Sequence, residues 1–244
     1  MEHQEIIAAQ SITTYSNVKC LALQLPKFIE SKNDVKIVYY YLNKFFNCSF
    51  EYGNFGTFIF NPELIQLLFG NAKQLYIYKC FLSSTEHNIE NLLQFTSNYL
   101  ACQTLRIYFL LKKDIMEEYK NILFKILTKG DNFEEIQLDL RHSYGPDLAN
   151  SPFKNITLLY QNIVEYIATS RDCSKMVPVI ILRYYRPTNL QLNERAEKVE
   201  IEQRTYTKYT KYQITNIYNP KVRFSFTVSE MEKDLWTCID IRKV

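Results

Sequence analysis

Residues 72 to 141 carry one pattern three times, and this repetition narrows the available folds more than any other feature of the chain. The copies read Ala72-x-x-Leu75-x-Ile77-x-x-Cys80, Cys102-x-x-Leu105-x-Ile107-x-x-Leu110 and Phe133-x-x-Ile136-x-Leu138-x-x-Arg141. The equivalent positions Ile77, Ile107 and Leu138 set a phase of 30 and then 31 residues. Apolar residues at every second place predict a short strand in each copy, because successive strand side chains point to opposite faces. A helical pattern fills each gap. A strand followed by a helix of that length returns to a parallel neighbour. One such unit cannot bury both faces, so neighbours stack. The expected fold class is α/β: an irregular, leucine-rich-repeat-like strand–helix array.

The same spacing extends beyond the central copies. Val18-x-x-Leu21-x-Leu23-x-x-Pro26 predicts a strand at about 18–25. Phe55-x-x-Phe58-x-Phe60 reads as the next strand, after a turn containing Gly53, and Val177-x-x-Ile180-x-Leu182-x-x-Tyr185 as the last of the series. Between them, Asn33 or Asp34 can cap a helix with Val35, Val38, Tyr39, Leu42 and Phe46 on one face. Asn61-Pro62 opens a short helix through Leu64, Leu67 and Leu68. Ser83-x-x-Glu86 has the form of a capping box ahead of Ile89, Leu92, Leu93 and Leu100. Ile115, Tyr119, Ile122, Leu123 and Ile126 keep helical spacing, with Gly130 placed to stop the helix. Ser151-Pro152 precedes a helix with Ile156, Leu159, Tyr160, Ile163 and Ile167 inward. Beyond Pro187 a polar connector leads to four short strands. The strictest of these alternates Val222, Phe224, Phe226 and Val228 with polar residues. They predict a small C-terminal antiparallel β meander packed on the end of the array. The expected regions are a loose tail at 1–15, the array at 16–187 and the β subdomain at 188–244.

Composition excludes several functions. A hydrophobic fraction of 47% suffices for a core, and a net charge of +3 does not call for a polyanionic partner. Five glycines leave almost no supply for phosphate-binding loops. None of the six cysteines forms a C-x-x-C pair, and His3, His87 and His142 lack a Cys or Glu at ligand spacing. Cys20, Cys80 and Cys102 sit in apolar strand patterns, where a free thiol serves as a small buried hydrophobe. No catalytic residue, metal site or cofactor is expected. No basic, apolar leader opens the sequence and no run of 18 apolar residues occurs, so a cytoplasmic or nuclear protein without membrane contact is expected.

The remaining signal is a recognition surface. Tyr76, Tyr78, Arg106, Tyr108, Gln137 and Asp139 occupy the outward places of the central strands, where they can contact a partner protein. Arg183 and Tyr185, in Arg183-Tyr184-Tyr185-Arg186, mix cationic and aromatic groups. So do Tyr206 and Tyr209, in the stretch 204–212. Such mixing suits an acidic peptide, since Tyr and Arg are strong interface anchors. It is also the alternative surface for RNA, although nucleic acid is not the expected partner. A second alternative is an enzyme whose site gathers Asp, His or Cys from different units. Asp139, Arg141, His142 and Asp147 gather near the end of one strand, where a solvated loop with a local ion pair is the simpler reading.

The layout resembles nematode F-box proteins in the region that follows the F-box. The likeness rests on the units Leu75–Cys80, Leu105–Leu110 and Ile136–Leu140. It also draws on the closing segments Tyr212–Pro220, Val222–Glu230 and Trp236–Lys243. No F-box is seen. Leu25-Pro26-Lys27-Phe28 is the string nearest its usual opening, and it lies inside the first strand unit. The resemblance implies a substrate-recognition region of an SCF-type ubiquitin ligase subunit. The implied partner is a ubiquitination substrate or the ligase adaptor.

Overall fold

The computed structural model describes residues 12–16, 19–23, 29–55, 61–70, 74–85, 87–111, 116–128, 130, 132–142, 154–185, 190, 192–231 and 236–244. The chain divides into two compact units, Met1–Tyr108 and Phe109–Val244. Helices alternate with strands over most of its length, and antiparallel strands follow.

In the first unit the strands are β1 (Ile12–Ser16), β2 (Lys19–Leu23), β3 (Ser49–Asn54), β4 (Leu75–Thr85) and β5 (Leu100–Leu111). They lie in the order β2-β1-β3-β4-β5, and the unit boundary falls within β5. β1 pairs antiparallel with both β2 and β3. The described residues 12–15 of the stretch expected to be loose belong to β1. β2 belongs to an antiparallel edge, not to the parallel series.

β3 runs parallel to β4, with Phe50 beside Ile77 and Gly53 beside Cys80. β3 occupies 49–54, and residues 56–60, on which the strand expected at 55–60 mostly falls, lie outside the described residues. Gly53 is a strand residue, not a turn. A Cβ there would come 2.9 Å from Ile77 Cδ1 and 3.1 Å from the Phe55 ring. A side chain at this inward place would require the Ile77 tip and the Phe55 ring to shift.

The strands β4 and β5 are also longer than the repeat predicts, at 11 and 12 residues. The x-x of the pattern is a step within the strand. Tyr78 and Lys79 both point outward between buried Ile77 and Cys80, and Gln103 and Thr104 step in the same way between buried Cys102 and Leu105. The Cys80 thiol hydrogen-bonds that of Cys102, and burial pushes its pKa well up. The repeat sets Cys80 equivalent to Leu110, whereas its thiol meets that of Cys102, so the 30-residue phase does not describe lateral neighbours.

Helix α1 (Lys32–Phe46) starts from Ser31, whose Oγ accepts from Asp34 N at 3.2 Å while the Asp34 carboxylate accepts from Ser31 N at 2.8 Å. It buries Val38, Leu42, Phe45 and Phe46 and leaves Val35 and Tyr39 exposed. Helix α2 (Pro62–Phe69) is capped by Asn61 Oδ1, which accepts from Glu63 N and Leu64 N. It turns Ile65 inward and Leu67 outward. Helix α3 (Ile89–Tyr99) buries Ile89, Leu92, Leu93, Phe95 and Tyr99. Its predicted box at Ser83 does not form, because β4 still includes Thr85; Asn88 at the helix N-cap accepts from Thr85 N at 2.7 Å instead.

The second unit holds α4 (Met116–Thr128), β6 (Phe133–His142), α5 (Lys154–Thr169) and β7 (Val179–Tyr185). It continues with β8 (Glu197–Arg204), β9 (Thr207–Thr215), β10 (Arg223–Met231) and β11 (Trp236–Lys243). β6 and β7 are parallel, with Ile136 beside Ile180 and Leu138 beside Leu182, as the repeat predicts. α5 buries Ile156, Leu159, Tyr160, Ile163 and Ile167, again as its spacing predicts. The four closing strands do form an antiparallel meander. They do not pack on the end as a separate layer. β11 pairs antiparallel with β7, so the sheet runs β6-β7-β11-β10-β9-β8.

Candidate functional site

The outward tyrosines of β4 are open. Tyr76 is 55% and Tyr78 51% exposed, while Leu75 and Ile77 between and beside them are buried. The Tyr76 hydroxyl donates to Gln74 Oε1 at 3.2 Å, and the Lys79 ammonium lies 5.7 Å from the Tyr78 ring centroid. On β5, Arg106 and Tyr108 are half-buried. The Arg106 guanidinium lies 5.5 Å from the Phe81 ring, and its buried Nε has no hydrogen-bond partner among the described residues. Gln137 and Asp139 on β6 are not solvated: they are 1% and 2% exposed, and both amide atoms of Gln137 lack a hydrogen-bond partner among the described residues. This corrects the expectation of an open face at these two places; the side chains of Arg141 and His142 lie outside the described residues. Asp147 lies outside the described residues.

The second unit gathers three predicted residues on one line. Asp139 is beside Arg183, Arg183 beside Cys238, Cys238 beside Ser229 and Ser229 beside Tyr209. Cross-strand partners share a face at about 4.8 Å per strand, so this row crosses five strands. Arg183 hydrogen-bonds the Cys238 thiol. Burial nevertheless pushes that thiol up, assisted by Asp240 and Asp139 and opposed by Arg183. A raised thiol is a poor nucleophile at neutral pH. Sequence reading missed Cys238 and Ser229; the strict alternation of 222–228 could have supplied their register. Tyr185 is in the next row, paired with Trp236.

Tyr206, at the β8–β9 turn, is exposed, and Tyr209 is half-buried with the Arg204 guanidinium 5.2 Å from its ring. The cations of this stretch are already balanced. Arg204 Nε donates to Glu202 at 2.7 Å, Lys208 pairs with Glu230 at 3.5 Å, and Lys211 is beside Glu200. A surface that neutralises phosphates needs spare positive charge, and this one has little.

A hollow of about 270 Å³ lies on the other face of the meander. β8, β9 and β10 contribute Ile201, Thr210, Tyr212 and Val228, with Lys208 and Glu230 at one side. Tyr160 of α5 forms a wall, and Leu190 and Leu192 close it from the segment before β8. The Tyr160 and Tyr212 hydroxyls hydrogen-bond each other. Tyr212 stacks on Phe226 at 4.8 Å, and Tyr160 meets the same ring edge-on at 6.3 Å. Burial raises both phenols above their ordinary pKa. A second hollow of about 310 Å³ shares Tyr160 and Leu192 and is lined mostly by polar residues, among them Gln161, Glu165, Glu194 and Arg195.

Among the described residues, no group of three or more His, Cys, Asp or Glu side chains could hold a metal ion, and no helix is long and apolar enough to cross a membrane. Cys48, Cys80, Cys102, Cys173 and Cys238 are free thiols.

Residues 2–110 match the model of a family described as a domain of unknown function (DUF8381), a span that ends within two residues of the first unit's boundary at Tyr108. No curated protein matches the chain. A solved methyltransferase from Streptomyces caelestis aligns with 88% of this chain and 97% of its own, at 7% identity and a TM-score of 0.17. A likeness that slight carries neither fold nor function.

Proposed function

We propose that the chain is a non-enzymatic protein-recognition module, with Tyr76 and Tyr78 at the centre of its partner-binding surface. One observation carries the reading. Two tyrosines stand half-exposed on a strand whose intervening residues are fully buried. Leaving an aromatic ring in water forgoes the gain from burying its apolar area. A ring on a strand also has few rotamers to lose on contact, which makes it an efficient anchor. Among the described candidates, these two residues combine openness with a rigid support.

By its resemblance to post-F-box regions, the partner is a ubiquitination substrate or a ligase adaptor. Site-specific photocrosslinking tests the surface. A benzophenone amino acid at position 76 or 78 should trap one protein in cells, and the same group at exposed position 67 on α2 should not. Equal trapping from all three positions would sink the assignment.

A further inference from the structure

We propose that the hollow beneath β8–β10 is a binding site for a small, uncharged, largely apolar molecule bearing one hydrogen-bond-accepting oxygen, of the ketone or ester class. This goes beyond the protein-recognition reading and does not depend on it.

The argument begins with a hydrogen count. Two phenol hydroxyls carry two hydrogens, and a bond between them uses one. Neither Tyr160 nor Tyr212 has another partner for its hydroxyl among the described residues. Among the described residues one O–H therefore has no protein acceptor, so an occupant of the hollow lined by both tyrosines can supply one. Raised by burial, both phenols stay protonated at neutral pH, so the spare donor is permanent. The matching ligand group is an acceptor.

The walls set the rest of the ligand. Leu192 and Ile201 are 45% and 67% exposed, although both line a concave surface. An apolar occupant would bury them. The charged pair Lys208–Glu230 sums to zero, so the mouth does not select an ion. An anion would gain Lys208 and lose against Glu230. The volume of about 270 Å³ is below that of drug-sized sites, which limits the molecule to a single ring or short chain.

The test compares three probes of one shape: 4-phenylbutan-2-one, butylbenzene and 3-phenylpropanoate. Each is titrated into the full chain while methyl NMR signals of Leu190, Leu192, Ile201 and Val228 are followed. The ketone should saturate and shift these methyls, binding about five- to tenfold tighter than the hydrocarbon, the worth of one net hydrogen bond. The carboxylate should bind no tighter than the hydrocarbon. In the double variant Tyr160→Phe/Tyr212→Phe the ketone should fall to the hydrocarbon's affinity, with the hydrocarbon unchanged. Leu192→Ser, at an exposed position, should weaken both probes alike and keeps the test intact if the double variant does not fold. No saturable binding would mean that the hollow holds water only and would overturn the proposal. So would equal affinity for ketone and hydrocarbon, a ketone preference that survives in the double variant, or no effect of Leu192→Ser.

Discussion

Asn216 closes four hydrogen bonds with one side chain. Its Nδ2 donates to Ile167 O at 2.7 Å and Ser170 O at 2.8 Å, and its Oδ1 accepts from Tyr218 N and Asn219 N at 2.9 Å each. The last carbonyls of α5, which no intrahelical donor reaches, are thereby tied to the β9–β10 turn. Asn216→Asp replaces the donor with an acceptor facing two carbonyls, so it should destabilise the protein by about 2–4 kcal/mol in a denaturant melt. A loss below about 0.5 kcal/mol would show that the side chain is dispensable. The buried phenols give a second residue-scale prediction. Tyrosine ionises near pH 10 in an unfolded chain. In the folded chain Tyr160 and Tyr212 ionise higher, so folding holds their protons. Their contribution is complete below pH 10 and is lost as pH rises beyond it. The denaturation midpoint should therefore drop between pH 9 and pH 11, and Tyr160→Phe/Tyr212→Phe should make that drop shallower with little change at pH 7. An unchanged drop would place the effect elsewhere. Neither feature was legible in advance. The partners of Asn216 lie 46 to 49 residues away, and the phenols meet across 52. Only their inward placement could be read from helical and strand spacing.

At the scale of elements, the end of α4 depends on a close approach. Phe133 N donates to Gly130 O at 2.9 Å, and Val177 N caps Leu127 O at 3.0 Å. A Cβ on Gly130 would sit 2.3 Å from the Ile126 carbonyl oxygen and 2.7 Å from Val177 Cγ2. Backbone cannot yield as a side-chain tip can, so Gly130→Ala should cost about 1–3 kcal/mol, read from a thermal melt. A gain from the better helix former would contradict this account of the helix stop. The position was legible because a glycine after a periodic run signals a stop. Its reason was not, because Val177 is distant in sequence. Gly53 illustrates the opposite error. A residue without a side chain gives no apolar signal, so Gly53 reads as a turn although it lies inside β3. Helix faces were read more faithfully where both turns of the pattern are apolar, as in α5. They were less faithful where tyrosine could count as either class, as at Tyr39 in α1.

For the whole molecule, alternation of strands and helices and the closing meander were readable because periods of 2.0 and 3.6 survive any arrangement of the elements. Register was readable only in part. Ile136 and Leu138 do align with Ile180 and Leu182, but Cys80 meets Cys102 and not its repeat equivalent Leu110. Spacing along the chain does not fix sliding between strands once each strand can step by one residue. Alternation alone does not fix exposure: Tyr76 and Tyr78 are open, whereas Gln137 and Asp139 are covered. The central claim rests on those two tyrosines, and proximity labelling of the wild-type chain beside Tyr76→Ser/Tyr78→Ser tests it most directly. The account predicts a protein enriched by the wild type and lost from the variant by at least about tenfold, as expected for two interface anchors, with the melting temperature of the variant unchanged. Ligase adaptor and cullin subunits among the recovered proteins would identify the assembly. An identical set of labelled proteins from both chains would contradict recognition through this face.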